Sequence, residues 1–99
     1  MAPKLNLEYI AGFFDGEGCV SLDVRGPRTA LANTKHKILY EIRDFFGVGR
    51  VNINHKERKK PMGQWVCWNR HAERFLRIIT SHLRLKRQEA LLALKLLAT

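Results

Sequence analysis

Polar and apolar positions along the chain fall into a short series of periodic segments. Residues 7–17 repeat at helical spacing, with Asn6 placed to cap the amino end, Glu8 in the first turn and Gly18 offering a left-handed stop. Residues 20–25 alternate, Gly26-Pro27 reads as a turn dipeptide, and residues 28–32 alternate again, which predicts a hairpin. In that hairpin Val20, Leu22 and Val24 are expected to face the core, leaving Ser21, Asp23 and Arg25 on the opposite face with Arg28 and Ala30. A second helix, capped by Asn33 or Thr34, carries Ile38, Leu39, Ile42, Phe45 and Phe46 and ends at Gly47. A second hairpin alternates Val51 and Ile53 with Arg50, Asn52 and Asn54, crosses a basic connection at 56–60, turns at Pro61-Met62-Gly63 and returns through 64–69. In the return strand either Trp65 and Cys67 or Val66 and Trp68 point inward, because both faces are apolar. Two helices close the chain: 72–83, with Phe75, Leu76, Ile79 and Leu83 on one side, and 86–98, apolar nearly all round and expected to be well buried.

The strands come in pairs rather than singly, and the connections are short. That order predicts an α+β fold: one antiparallel sheet of four strands with the helices on one face. The other face is left uncovered, and its readable side chains are polar, mostly cations and amides. Such a face suits a nucleic-acid groove, although a solvated outer face is ordinary in antiparallel sheets.

The charge favours the groove. Eighteen Lys and Arg against nine Asp and Glu leave a net +9 over 99 residues, enough to attract a polyanion. With 45% hydrophobic residues, no apolar run of membrane-spanning length and two cysteines, the composition is that of a soluble globular domain in a reducing interior. An intracellular protein is expected, with an organelle and a prokaryotic cytoplasm equally open. Residues 1–23 nevertheless carry net −3 while residues 24–99 carry net +12, so an acidic island sits in a basic protein. Those acids could simply pair with basic neighbours.

The first helix suggests more. Ala11, Gly12 and Gly16 make its small surface, and a glycine inside a helix costs about 1 kcal/mol against alanine. Close approach of a second copy of the same helix supplies the reason. Asp15 and Glu17 lie at its carboxyl end, where the macrodipole disfavours an acid by roughly 0.3 to 1 kcal/mol and a cation would relieve it. Carboxylates converging beside a polar sheet meet the conditions for Mg²⁺ held by protein and phosphate oxygens, which points to phosphodiester hydrolysis.

The run Ile10-Ala11-Gly12-Phe13-Phe14-Asp15-Gly16-Glu17-Gly18 resembles the nine-residue motif of the LAGLIDADG homing endonucleases, with Ala11, Gly12, Asp15 and Gly18 identical to it. The resemblance continues through Asn33-Thr34, Phe46-Gly47-Val48-Gly49 and Leu83-Arg84-Leu85-Lys86. It implies an αββαββα(α) LAGLIDADG fold in a single domain over 1–99: a motif helix at 7–18, DNA-reading hairpins at about 19–33 and 48–69, and carboxy-terminal helices at about 71–83 and 86–98. One motif implies a homodimer, with Ala11, Gly12, Asp15 and Gly16 at its interface. The acid at the eighth place of the motif, here Glu17, is implied to hold the catalytic divalent metal, with Gly16 beside it. A glutamate there keeps the ligand type of the family's aspartate but moves it by one methylene. Lys86 is implied to polarise water or steady charge at the phosphate; a phosphate-contacting or merely solvated lysine is the lesser alternative. Asn33 is implied to supply an active-site amide, and a helix cap explains it as well.

The expected function is therefore Mg²⁺-dependent, site-specific cleavage of double-stranded DNA by a homodimer on a palindromic or near-palindromic site, with no membrane and no small-molecule cofactor. The DNA-contacting set is Ser21, Asp23, Arg25, Arg28, Ala30, Arg50, Asn52 and Asn54, with Lys56, Arg58, Lys59 and Lys60 on phosphates. A relative without cleavage, acting as an RNA-splicing maturase or a DNA-binding protein, is the alternative. A monomeric, ribosomal-type RNA-binding protein would explain the charge but not the glycines. Cys19, Cys67 and the four histidines show no zinc spacing.

Overall fold

The computed structural model describes residues 5–54 and 61–97. In chain order the elements are α1 (Leu7–Glu17), β1 (Gly18–Asp23), β2 (Gly26–Asn33), α2 (His36–Phe46), β3 (Arg50–Asn54), β4 (Met62–Trp68), α3 (Asn69–Ile79), a 3₁₀ turn (Thr80–His82) and α4 (Arg87–Leu97). The four strands form one antiparallel sheet in the order β1-β2-β4-β3, with the two hairpins joined through β2 and β4. All four helices contact strands from one side. No described helix is long and apolar enough to cross a membrane.

The local signals explain most boundaries. Asn6 accepts the Tyr9 N–H at 2.8 Å and starts α1. Gly47 takes a left-handed φ of 71° and ends α2. Gly18 is no left-handed stop: its backbone is extended (φ −85°, ψ 168°), so the chain passes from α1 straight into β1. Neither Asn33 nor Thr34 is the residue that caps α2. Lys35 stands at that position without a side-chain bond, and Asn33 Oδ1 accepts the Lys35 N–H at 2.8 Å, a turn that leads into the helix.

The first hairpin turns one dipeptide earlier than expected, at Val24 and Arg25. Gly26 and Pro27 are already in β2, paired with Asp23 and Leu22. Pro27 lacks an N–H and fits at the start of the strand, before pairing with β4 begins at Arg28. Gly26 takes φ +123°, which only glycine adopts cheaply, and Asn69 Oδ1 lies where a Cβ would stand. Val24 is consequently fully exposed, not in the core, and Leu22 at the sheet's end is 39% exposed.

On the helix side of the sheet, Phe14, Phe46, Trp65 and Phe75 form an aromatic cluster with ring centroids 5.0 to 6.0 Å apart. Trp65 Nε1 donates to the Val48 carbonyl at 3.1 Å, so its one polar atom is satisfied. The inward residues of β4 are therefore Trp65 and Cys67. Burial pushes the Cys67 thiol up to about 12, against the pull of the Thr29 hydroxyl opposite it. Val66 and Trp68 belong to the open face.

The last two helices differ from expectation. α3 ends at Ile79 and the 3₁₀ turn finishes the segment, with Leu83 buried just beyond. Among its described side chains α4 buries only Ala90 and Ala93 fully, while Leu91, Leu92 and Leu96 are about half exposed, so the all-round apolar pattern does not mean all-round burial.

Candidate active site and nucleic-acid interface

α1 has two faces of different chemistry. Ile10, Ala11, Phe14 and Asp15 are buried. Tyr9, Gly12 and Gly16 are exposed and Phe13 is half-buried, at i, i+3, i+4 and i+7, with no charge in the stripe. A Cβ at Gly12 or Gly16 would have nothing within 4 Å. Two exposed helical glycines with empty space above them serve no purpose inside the monomer, where alanine would be about 1 kcal/mol better at each. Ala11, expected on this surface, is 1% exposed and packs into the chain's own core. The aromatic members Tyr9 and Phe13 were missed by motif reading, although their i, i+3, i+4 spacing with the glycines could have found them.

Asp15 also departs from expectation. Its carboxylate accepts the backbone N–H of Arg84 at 2.7 Å and of Lys86 at 3.0 Å, and Lys86 Nζ donates to the Asp15 carbonyl at 2.6 Å. Burial works to raise its pKa, but the backbone N–H groups of Arg84, Lys86 and Leu85, with the Lys86 ammonium, outweigh it and hold the carboxyl below its usual value. Asp15 is thus a latch inside one chain. It is neither an exposed interface residue nor an available metal ligand.

Glu17, two residues on, is the opposite case: exposed, with no described residue hydrogen-bonding or ion-pairing to its carboxylate. It stands at the negative end of α1, where a cation is favoured. Among the described residues no three His, Cys, Asp or Glu side chains gather as a metal set. Among the described residues at this end of the sheet, what a hard cation would meet is the Glu17 carboxylate with the Gly16 backbone beside it, and the remaining oxygens would come from elsewhere.

Three of the expected chemical residues meet at one end of the sheet. Gly18 pairs with Leu31, so the end of α1 lies beside the end of β2 at Asn33. Lys86 is fixed there through Asp15. Asn33 spends its amide oxygen on the turn into α2, and its strand position is on the core side, opposite Gly63.

The open face spreads from this end. Ser21, Arg28, Arg50, Asn52 and Asn54 share it, joined by Gln64, whose Oε1 accepts from Arg28 at 3.3 Å, and by Trp68, 42% exposed. Ala30 lies on the same face but is 2% exposed, flanked across the pairs by Cys19 and Val66, so it forms floor and not a contact. Arg25 is in the turn at the far end, not in the strand. Lys56, Arg58, Lys59, Lys60 and the Asp23 side chain lie outside the described residues.

A four-stranded sheet with one open polar face, entered from a helix that carries exposed glycines and ends at the exposed Glu17, defines an architecture, and comparison supplies its family. A model of the LAGLIDADG-like domain matches residues 4–80. The chain belongs to that family. Two crystal structures of the homing endonuclease I-CvuI are 24% and 23% identical and cover 90% of this chain, with TM-scores of 0.75 and 0.76. One holds I-CvuI on DNA that is not cleaved in 2 mM Mg, the other on its target in 2 mM Ca. The homing endonuclease I-TnaI is 25% identical over 89% of the chain, TM-score 0.67. This chain spans 63% of the I-CvuI chain and 68% of the I-TnaI chain. No curated protein matches it.

Proposed function

We propose that two copies of this chain form a divalent-metal-dependent, site-specific endonuclease for double-stranded DNA. The observation that carries the reading is the position of Glu17: an exposed carboxylate, unpaired among the described residues, where the uncovered glycine face of α1 runs into the strand that begins the polar sheet. Pairing of α1 with its copy through Gly12 and Gly16 places two such carboxylates near a shared axis, one for each DNA strand. A two-fold protein calls for a palindromic or near-palindromic target. Mg²⁺ bound there would supply a Lewis acid and an activated water for in-line displacement at phosphorus.

The chain's own residues do the rest. Glu17 anchors the metal, with the Gly16 carbonyl as a further oxygen beside it. Lys86, held by Asp15, places a cation at the same end for the charge that develops on the phosphate. Ser21, Arg28, Arg50, Asn52 and Asn54 supply donors and acceptors to base edges along the groove. That I-CvuI, on the same fold, is found in complex with its target supports the DNA-binding part of the reading.

The test is cleavage of a randomised duplex library with Mg²⁺ by wild type and by Glu17→Gln. The reading predicts cut sites of two-fold symmetry for wild type, and retained binding with a small fraction of the cleavage for Glu17→Gln. Binding by wild type without any cutting removes the enzyme and leaves a binding protein.

A further inference from the structure

Arg28 and Gln64 are hydrogen-bonded on the open face, Nη2 donating to Oε1 at 3.3 Å, although they do not stand opposite each other. Arg28 on β2 is paired with Trp68, and Gln64 on β4 is paired with Ala32. The Ala30–Val66 pair lies between them on the same face. A bond across that offset requires the arginine to lie along the strands, with its stem over Ala30 and Val66. Both are buried, at 2% and 1% exposure, on the face away from the helices. An apolar stem with its charged head beyond it is the cover an arginine provides.

Holding the side chain flat moves its charge in two directions. Across the sheet, the guanidinium is kept over β2 and β4, the inner strands, with β1 and β3 outside them. A cation there faces the base edges on the floor of a groove laid on the sheet, whereas the phosphate walls stand over the outer strands. Along the sheet, it is drawn towards the end where Glu17 stands. Arg28 leaves the backbone level with Ser21, while Gln64 lies one step beyond the level of Gly18.

The hold also selects a ligand. An arginine has many rotamers to lose, so one fixed beforehand meets its ligand at lower entropic cost. A guanidinium has five N–H donors in a rigid fork; one goes to Gln64 and the others are left to donate. On the major-groove edge guanine shows two acceptors, O6 and N7, and no other base shows two.

We infer that Gln64 is a positioning residue that sets Arg28 to read a guanine in the part of each half-site nearest the cut. This rests on the DNA-binding reading above and adds to it the base and the residue that orients its reader. Gln64 acts through Arg28: its amide oxygen holds the fork, and the fork makes the contact.

The experiment selects bound sites from a library of randomised duplexes, in Ca²⁺, the ion with which I-CvuI is found on its target. The full chain is used as wild type, Arg28→Ala, Gln64→Ala and Gln64→Glu. Wild type should favour guanine at one inner position of each half-site by about tenfold or more. Arg28→Ala should show no preference at that position, and Gln64→Ala should lose most of it. Gln64→Glu, which keeps an acceptor in the same place, should retain it. The affinity of Gln64→Ala for random-sequence duplex should stay within about twofold of wild type, because that binding rests on phosphate charge. A guanine preference that Arg28→Ala abolishes and Gln64→Ala leaves whole overturns the positioning role. Equal loss of selected and random sites in Gln64→Ala marks Gln64 as structural and overturns it as well. If Arg28→Ala leaves every preference intact, or relaxes a position where another base is favoured, the guanine reading falls while DNA recognition stands. No sequence preference in wild type overturns site-specific recognition itself, and this inference with it.

Discussion

Asp15 and Lys86 hold each other at both ends: the Asp15 carboxylate accepts the Lys86 backbone N–H at 3.0 Å, and the Lys86 ammonium returns to the Asp15 carbonyl at 2.6 Å. The pair closes 71 residues of chain and fixes the loop before α4 to the end of α1. A lysine at a helix carboxyl terminus is favourable in itself. The motif aspartate is thus explained by folding, and the metal role is proposed for the motif glutamate alone.

Replacing Asp15 by Asn keeps the shape but swaps one acceptor oxygen for a donor that faces backbone N–H groups. The expected loss is about 1 to 3 kcal/mol of stability, read by urea or guanidinium unfolding. Unchanged stability would contradict the latch.

The same carboxyl sets a pH dependence. Its folded pKa lies below the ordinary value, so its contribution is fully present above the unfolded pKa, about 3.9, and fades as pH falls through the lower folded value. Wild type should lose stability over that acid range by more than Asp15→Asn does. Parallel curves for the two proteins would refute the assignment.

Gly26→Ala tests the far hairpin. A side chain there faces both an unfavourable φ of +123° and the Asn69 amide, so a loss of about 1 to 3 kcal/mol is expected, well above that of an ordinary surface change. A thermal melt reports it, and a neutral result would mean that the turn rearranges freely.

Much of this was legible in the sequence. The Asn6 cap and the spacing of Ile10, Phe14 and their neighbours define α1; Gly47 ends α2; and Val51 and Ile53 fix the inward face of β3. Glu17 emerged from its place in the motif. What stayed hidden depends on distant partners. Asp15 looks like a second site acid until Arg84 and Lys86 are brought to it. Gly26-Pro27 reads as a turn because both residues favour turns, yet the glycine's positive φ is spent one step later, in the strand. The facing of β4 was undecidable locally, since Trp65 and Val66 are both apolar, and only pairing with Leu31 and Ala30 separates them.

The central claim is that two chains meet along the glycine face of α1. A Gly12→Cys chain in a Cys19→Ser background, oxidised at low concentration and run on a non-reducing gel, measures it directly: disulfides form only when the two Cα atoms come within about 7 Å. The account predicts a cross-linked dimer that still binds duplex DNA. A chain that remains monomeric and uncross-linked at concentrations where it binds DNA would contradict it.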